Sequence, residues 1–397
     1  MNRAAIPRTV WMLGFVSLFM DLSSELIHAL LPIFLVTTLG MSVMALGLLE
    51  GIAEASALIV KIFSGPVSDW LGKRKLLLLL GYGLSALTKP LFPLAASPAW
   101  AIVARLLDRT GKGIRGAPRD ALIADVAPPD IRGACFGLRQ SMDTYGAVAG
   151  PLAAVCLMLV FADHIRTVLW FAVIPAVIVL ALIVFGVREP EHAESAHRFR
   201  TPLQWRSLRE LKVGYWQVVA IGATFALARF SEAFLVLRAQ QTGLNMAWVP
   251  GVMALMSLTY ALSAYPIGKL SDRLDRHGLL AAGLVLLAIA DLLLGTSTSL
   301  VVVFAGVAVW GLHMGFTQGL LSAMVADTAP QALRGTAFGI FNLASGLCML
   351  ISSALAGWLW DRHGASATFF VGAALAALSL AVYGVVRSFN AYNRRLG

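Results

Sequence analysis

Charged residues are scarce in this sequence. Asp, Glu, Lys and Arg together make up 13% of the 397 residues, about half of the roughly 25% that is usual in soluble domains. The apolar residues Ala, Val, Ile, Leu, Met, Phe, Trp, Tyr and Cys make up 58%. This balance excludes an ordinary soluble domain and indicates a membrane protein.

Cysteine is scarce as well. Cys135, Cys156 and Cys348 lie at or inside apolar segments, with no disulfide framework and no C-x-x-C zinc spacing. The sequence also lacks the Ser-His-Asp, H-E-x-x-H and phosphate-loop patterns of common enzyme classes. The longest polar segment, 188–213, is too short for a catalytic or sensory domain. We therefore predict no metal site, no cofactor and no enzymatic activity.

The charge that is present is mostly positive, with 31 Lys and Arg against 21 Asp and Glu and a net charge of +10. The cations cluster at the ends of apolar segments rather than in one continuous patch, which argues against nucleic-acid binding. One side of the predicted membrane topology carries segment 188–213 and Arg3, Arg8, Lys73, Arg74, Lys75, Arg132, Arg273, Arg276, Arg334, Arg387, Arg394 and Arg395. By the positive-inside rule, that side and both termini are cytoplasmic.

Twelve apolar segments are long enough to cross a bilayer, which takes about 20 residues for a helix. Asp21 and Glu25 interrupt the first segment and no small-residue cleavage site follows it, so we interpret it as a retained membrane helix. The predicted spans are approximately 10–37, 43–67, 76–95, 99–123, 133–161, 166–187, 214–238, 247–268, 279–297, 300–325, 335–359 and 366–386. The fold class is therefore an all-α membrane protein.

The sequence contains an internal repeat. IADVAPPDIRGACFGLRQ at 123–140 aligns with VADTAPQALRGTAFGIFN at 325–342. Asp125 thus corresponds to Asp327, 202 positions later. We predict twelve transmembrane helices in two pseudo-symmetric six-helix bundles. A basic cytoplasmic linker joins them, and the three parts are 1–187, 188–213 and 214–397.

The loop between the second and third predicted helices has the pattern Gly-x-x-x-Asp-x-x-Gly-[Arg/Lys]-[Arg/Lys]. It consists of Gly65, Asp69, Gly72, Lys73 and Arg74, followed by Lys75. Together with twelve spans in two repeats, this pattern resembles the major facilitator superfamily, and the resemblance covers essentially the whole chain. It implies a secondary transporter with helices 1, 4, 7 and 10 around a cavity and helices 3, 6, 9 and 12 against lipid.

Two further segments refine this resemblance. GAVAGP at 146–151 resembles the Gly-x-x-x-Gly-Pro signature of antiporters in the superfamily, and the first helix loosely resembles its proton-coupled drug exporters. Two positions depart from the family pattern. Arg109 stands four residues after Arg105, where the family has glycine, and Trp70 replaces an arginine. We therefore expect a branch outside the best-known drug exporters.

The fourth predicted helix carries a row of charges at bilayer depth. The row consists of Arg105, Asp108, Lys112, Arg115 and Arg119. These residues are three or four positions apart, so they lie on one face of the helix. Each such charge costs around 2.5–3.5 kcal/mol against lipid even on a lenient scale, so the row must face protein or water. Its cationic excess favours an anionic or zwitterionic substrate or a metal chelate, and it equally fits a cytoplasmic gate.

The candidate site residues fall into three groups by expected role. Carboxyl groups in a partly dehydrated cavity can exchange protons near neutral pH, and the proton-coupling candidates are Asp21, Glu25, Glu50 and Glu54. The substrate-cavity candidates are His28, Arg105, Asp108, Lys112, Arg115, Arg139, Asp143, Arg229, Glu232 and His313. The gating candidates are Gly65, Asp69, Gly72, Lys73, Arg74, Arg119, Asp272, Gly146, Gly150 and Pro151.

Some of these assignments have alternatives. The resemblance makes Asp69 a cytoplasmic latch between the halves, with Asp272 as its weaker copy. A buried network that only neutralises its own charges explains Arg105, Asp108, Arg139 and Asp143 equally well.

The interpretation that we favour is a monomeric secondary transporter of the bacterial cytoplasmic (inner) membrane. It exports a small organic solute in exchange for protons by alternating access. Its partners are then that solute, protons and the lipid bilayer, with no nucleic acid. The nearest alternative is proton-linked import of an organic anion or metal chelate, and a lipid transporter is a third.

Overall fold

The computed structural model of the protein describes residues 5–189, 210–271, 274–330 and 333–396, and the regular elements in these ranges are all helical. This confirms the predicted all-α class. In the described ranges, eleven helices are long and apolar enough to cross a membrane. The fourth predicted span is also a continuous helix, Pro98–Val126, of 29 residues. Its row of charges explains why it does not meet the same test of composition.

We number the twelve long helices in chain order. The first six are α1 Arg8–Thr38, α2 Val43–Leu71, α3 Arg74–Leu94, α4 Pro98–Val126, α5 Arg132–Val160 and α6 Ile165–Gly186. The other six are α7 Val213–Gln241, α8 Met246–Ser271, α9 Arg276–Thr296, α10 Leu300–Thr328, α11 Arg334–His363 and α12 Ala365–Leu396. Each helix coincides with one predicted span.

The described residues divide into two compact units. The first unit comprises those within Met1–Met41, Ile52–Pro202 and Asn245–Ala254. The second unit comprises those within Ser42–Gly51, Leu203–Leu244 and Leu255–Gly397. The first turns of α2 therefore belong to the second unit, and the first turns of α8 belong to the first.

The cores of the two units use corresponding sequence positions. In the first unit, the core includes the α1 residues Val10, Leu13, Val16 and Met20. In the second unit, it includes the α7 residues Tyr215, Val218, Ile221 and Phe225, each 205 positions later. Between α3 and α9, and between α4 and α10, the offset is 202 positions. It relates the buried residues Leu78, Tyr82, Leu122 and Ile123 to Leu280, Leu284, Met324 and Val325. The repeat seen in the polar motifs thus extends to the buried side chains.

The start of α2 packs on α11 inside the second unit. The Asp361 carboxylate accepts hydrogen bonds from the backbone N–H groups of Val43 (3.2 Å) and Met44 (2.9 Å). It therefore caps α2, because the first N–H groups of a helix have no partner within the helix. Gly357 permits this approach, since a Cβ atom there would lie 2.6 Å from the Val43 carbonyl oxygen.

Internal breaks in two of the membrane helices are bridged by serine side chains. In α7, regular helix ends at Ala228 and resumes at Ala233, and the Ser231 N–H donates to the Ser353 hydroxyl (3.2 Å). In α6, the break near Ala172 leaves a carbonyl that accepts a hydrogen bond from the Ser23 hydroxyl (2.7 Å). Serine side chains thus satisfy backbone groups that a membrane interior would leave unpaired.

Candidate functional site

A small pocket lies in the first unit where α1 faces α4. It is lined by Asp21, Ser24, Glu25, Arg105, Asp108, Arg109, Lys112 and Arg115. All but the serine are ionisable. The pocket is only large enough for about one water molecule. In this conformation the pocket therefore suits water, a proton or a single ion.

The charged row on α4 faces into the protein around this pocket. Arg105, Asp108 and Arg115 are buried, whereas Lys112 is exposed. The Asp108 carboxylate accepts a hydrogen bond from the Lys89 ammonium of α3, with 2.9 Å between Nζ and Oδ1. The same ammonium donates to the Ser24 hydroxyl of α1, also at 2.9 Å. Lys89 thus joins three helices at one edge of the pocket.

The arginines of α4 are held by separate partners. The Arg115 guanidinium donates to the Ser85 hydroxyl and lies over the Tyr82 ring, 4.6 Å from its centroid. Arg109 pairs with Glu54 of α2 (Nη1 to Oε1, 3.0 Å). Such anchoring keeps the guanidinium groups in fixed positions around the pocket, as an anion-binding surface requires.

The acidic residues of α1 lie beside these cations. Nδ1 of His28 lies 3.3 Å from a Glu25 carboxylate oxygen, and the His28 ring is buried. Asp21 lies close enough to Asp143 of α5 for a direct electrostatic interaction.

Asp143 itself lies between two arginines. Its oxygens are 3.4 Å from Arg139 of the same helix and 3.8 Å from Arg119 of α4. Arg119 also pairs with its neighbour Asp120 (3.1 Å) and donates to the Ser17 hydroxyl of α1 (3.3 Å). The structure therefore brings Arg119 and Arg139, predicted for different roles, onto one carboxylate.

The GAVAGP segment of α5 packs closely on α1. A Cβ atom on Gly146 would overlap the Leu18 carbonyl oxygen, and one on Gly150 would lie 2.8 Å from that of Leu22. Pro151 follows, buried inside the helix. These residues lie in a tight helix–helix contact, which is the packing that glycine permits.

The residues of the loop motif interact within the first unit. Gly72 has a φ of +62°, a conformation that glycine adopts without strain, and Lys73 directly precedes α3. The Arg74 guanidinium lies 2.9 Å from Asp125 of α4 and 3.5 Å from Asp69. Gly65 faces α4 as well, because a Cβ atom there would lie 3.5 Å from the Ala117 Cβ.

Two further charges fix this loop. The Glu189 carboxylate accepts hydrogen bonds from the backbone N–H groups of Arg74 and Lys75, which caps the start of α3. The Lys75 ammonium donates to the carbonyls of Val184 (3.0 Å) and Val187 (2.8 Å) at the end of α6. A cation there also compensates the negative end of the helix dipole.

The second unit contains the remaining candidates. Arg229 and Glu232 form an ion pair at the break in α7. His313 of α10 is buried, its Nδ1 lies 2.8 Å from the Gly283 carbonyl oxygen, and its ring stacks on Phe225. Glu50 is buried in the part of α2 that belongs to this unit. Asp272 lies outside the described residues.

Two charged residues at the pocket were not among the sequence candidates. Lys89 is a cation in the apolar part of α3, a helix that the family resemblance assigns to lipid, yet it is 1% exposed. Arg109 was noted only as a departure from the family pattern, yet it lines the pocket and pairs with Glu54. The signal for Lys89 was present, because an unpaired charge at bilayer depth requires a partner.

Comparisons with known proteins identify the family. The sequence model of the Major Facilitator Superfamily matches residues 13–255 and 234–394. The chain belongs to the major facilitator superfamily. An uncharacterized MFS-type transporter of Methanocaldococcus jannaschii is 32% identical over 387 residues, which is 95% of this chain and 94% of that protein. The predicted family is confirmed.

A more distant relative has a named activity. The multidrug resistance protein MdtH of Photorhabdus laumondii is 25% identical over 360 residues, 88% of this chain and 86% of that protein. Among solved structures, a bacterial homologue of the human lysosomal transporter Spinster, inward-facing and unoccupied, has a TM-score of 0.74 at 16% identity and covers 96% of this chain and 97% of its own. This likeness shows the fold. The major facilitator protein described here is a multi-pass membrane transporter and not an enzyme.

Proposed function

We propose that this transporter exports a small organic solute across the bacterial cytoplasmic membrane, in exchange for protons that enter the cell. The pocket of the first unit carries the proposal, because it places the carboxyl groups of Asp21 and Glu25 among several cations. The similarity to a multidrug resistance protein supports export. In this proposal both termini are cytoplasmic, in keeping with the distribution of Lys and Arg.

Proton coupling follows from the charge balance of the pocket. Its lining holds four cationic side chains against the three carboxyl groups of Asp21, Glu25 and Asp108. Protonation of one carboxyl group raises the net positive charge and frees a cation for another anion. The proton and the solute each change the charge of the pocket, so each alters the affinity of the pocket for the other. Such a mutual effect is the requirement for coupling.

The cationic excess also suggests the class of solute. Guanidinium groups held in place bind carboxylates and phosphates through paired hydrogen bonds. Arg105, Arg109 and Arg115 converge on the pocket from one face of α4. We therefore propose an anionic or zwitterionic solute, or a metal chelate with anionic groups.

The experiment replaces Glu25 and Glu54 by glutamine, singly and together. Everted membrane vesicles that contain the protein would be acidified inside by respiration, and a panel of organic anions, zwitterions, chelates and drugs would be added. We expect one class of solute to dissipate the pH gradient with the wild-type protein and not with the double variant. The reason is that a glutamine cannot bind or release a proton.

The matched control is Asp130→Asn, which neutralises an exposed carboxylate outside the pocket and should leave the proton flux unchanged. The double variant must also reach the membrane in normal amounts. Solute-dependent proton flux that persists in the double variant would refute this assignment of the coupling residues. Solute uptake into right-side-out vesicles, driven by an inward proton gradient, would instead support the import alternative.

A further inference from the structure

Asp291 of α9 is a buried acid in the second unit that the proposed coupling site does not use. Its side chain is 0% exposed, and among the described residues neither carboxyl oxygen has a hydrogen-bond partner. An ionised carboxylate buried away from water without a partner is highly unfavourable, whereas the neutral acid is far less so. This environment therefore favours the neutral form of the acid over the ionised form.

The internal repeat shows why this acid has no partner. Asp291 lies 202 positions after Lys89, and Trp310 lies 202 positions after Asp108. In the first unit these two positions hold the ion pair at 2.9 Å. In the second unit α9 carries an acid instead of a base, and the corresponding position of α10 holds an indole, which is not ionisable. A purely structural role would be met better by an apolar residue.

The surroundings of Asp291 are aromatic and tightly packed. Gly372 of α12 lets the carboxyl group approach, since a Cβ atom on that glycine would lie 2.6 Å from Oδ2 of Asp291 and 2.8 Å from the Phe230 ring. The Phe230 ring in turn contacts those of Trp310 and Phe369, with centroid distances of 5.3 and 5.6 Å. The acid therefore lies at the edge of an apolar cluster.

In the part of the second unit that the structure describes, three other buried polar atoms also have no hydrogen-bond partner. They are Nε1 of Trp310, Nε of Arg229 and Nε2 of His313. Two of these are donors, and Asp291 offers the matching acceptors. The offset of 205 between α1 and α7 places Arg229 at the position of Ser24, the residue that bonds Lys89 in the first unit. Arg229 is thus the cation best placed to reach an ionised Asp291.

The ionisable groups on the elements packed around Asp291 have other partners or lie far away. Glu232 pairs with Arg229, and Arg238 donates to the Leu294 and Ser297 carbonyls. His313 contacts Gly283, and the pair of Arg276 and Asp327 lies at the far end of α9, about 22 Å along the helix. On the described part of α12, the nearest such group is Tyr383, three turns beyond Gly372.

We propose that Asp291 is a proton-binding site of the second unit, which holds its proton in this conformation and releases it when Arg229 or water reaches the carboxyl group. The step is a proton transfer in which the carboxyl O–H bond breaks and the proton passes to water. The remaining carboxylate then pairs with the guanidinium that now pairs with Glu232. The use of this site in transport rests on the proposed proton coupling, but its protonation does not.

Infrared spectroscopy of the purified full-length protein in lipid tests the proposal, with the pH as the only variable. Wild type minus Asp291→Asn should show a protonated-carboxyl band at neutral pH that disappears as the pH rises. If the difference spectrum lacks that band at neutral pH, Asp291 is ionised and the proposal is overturned. If the band persists at every pH at which the protein is folded, Asp291 does not exchange its proton and the proposal is overturned as well.

A second pair of variants retains the acid and covers the case in which Asp291→Asn does not fold. Gly372→Ala places a methyl group against the carboxyl oxygen, so it should move both the band and its pH midpoint. Gly384→Ala on the same helix meets nothing within 4 Å and should change neither. Identical spectra for the two glycine variants would contradict the assignment of the band to Asp291.

These spectra are independent of the transport assay. A titrating Asp291 band in a protein without solute-dependent proton flux would leave the proton site standing and refute the proposed function. Proton flux that is blocked by the Glu25 and Glu54 variants, together with no Asp291 band, would leave the proposed function standing and refute the proton site at Asp291.

Discussion

The buried pair of Lys89 and Asp108 makes a quantitative prediction about stability. Asp108→Asn removes the negative charge that lies 2.9 Å from the Lys89 ammonium, which is 1% exposed. The charges left around Lys89 are then mostly cations, because Arg105, Arg109 and Arg115 line the same pocket. Breaking a buried ion pair in this way costs roughly 3–5 kcal/mol. We expect a loss of that size in the free energy of unfolding.

Removing the cation of the pair should lower the free energy of unfolding by less than removing the anion. Lys89→Met leaves Asp108 buried, but Arg109 and Arg115 still act on its carboxylate electrostatically. We expect a loss of about 1–3 kcal/mol, the cost of one buried group with a missing hydrogen bond. In the double variant neither the ammonium nor the carboxylate remains, so the two losses should not add. The expected coupling energy is about 0.5–3 kcal/mol.

The assay is equilibrium unfolding of the purified protein in mixed micelles, followed by circular dichroism, for the wild type, both single variants and the double variant. Lys269→Met removes an exposed lysine and is the control, with an expected change within about 0.5 kcal/mol. Losses that add in the double variant would refute the reasoning. A larger loss for Lys89→Met than for Asp108→Asn would contradict the idea that the neighbouring arginines support Asp108.

Two further predictions concern glycines of the first unit. Gly150→Ala should lower the thermal unfolding temperature, because its Cβ would lie 2.8 Å from the Leu22 carbonyl oxygen and overpacking costs roughly 1–3 kcal/mol. Gly137→Ala on the same helix meets nothing within 4 Å and should raise that temperature slightly, so equal effects of the two changes would contradict the packing argument. Gly72→Ala should cost about 1–2 kcal/mol, because φ is +62°. Gly133→Ala, in open space with an ordinary φ, should show no such loss in the same unfolding experiment.

The fold could be predicted from the sequence because its main signals are long and repeated. Asp125 and Asp327 reveal the offset of 202 positions, and the buried pairs Leu78 with Leu280 and Ile123 with Val325 follow the same offset. The charge row on α4 indicated a helix that must face protein, since lipid could not accommodate it. The length of a helix and the need to bury its charges can both be predicted from the residues of that one segment.

The details that could not be predicted depend on contacts between distant segments. No proline or glycine marks the break in α7, which depends on Ser353 of α11 to accept a hydrogen bond from Ser231. Asp361 caps α2 from 317 positions away. The partner of Lys89 was equally hidden, because the spacing that brings Asp108 beside it arises only when α3 packs on α4. Pairings of this kind are set by tertiary structure.

The composition of α4 has a consequence for how the protein is made. On its own, this helix is too polar to leave the insertion machinery for lipid, since each central charge opposes that transfer. Glu54 of α2 and Lys89 of α3 pair with Arg109 and Asp108 of α4, and both precede α4 in the chain. We therefore expect the fourth helix to enter the bilayer by docking onto α2 and α3, which are synthesised before it.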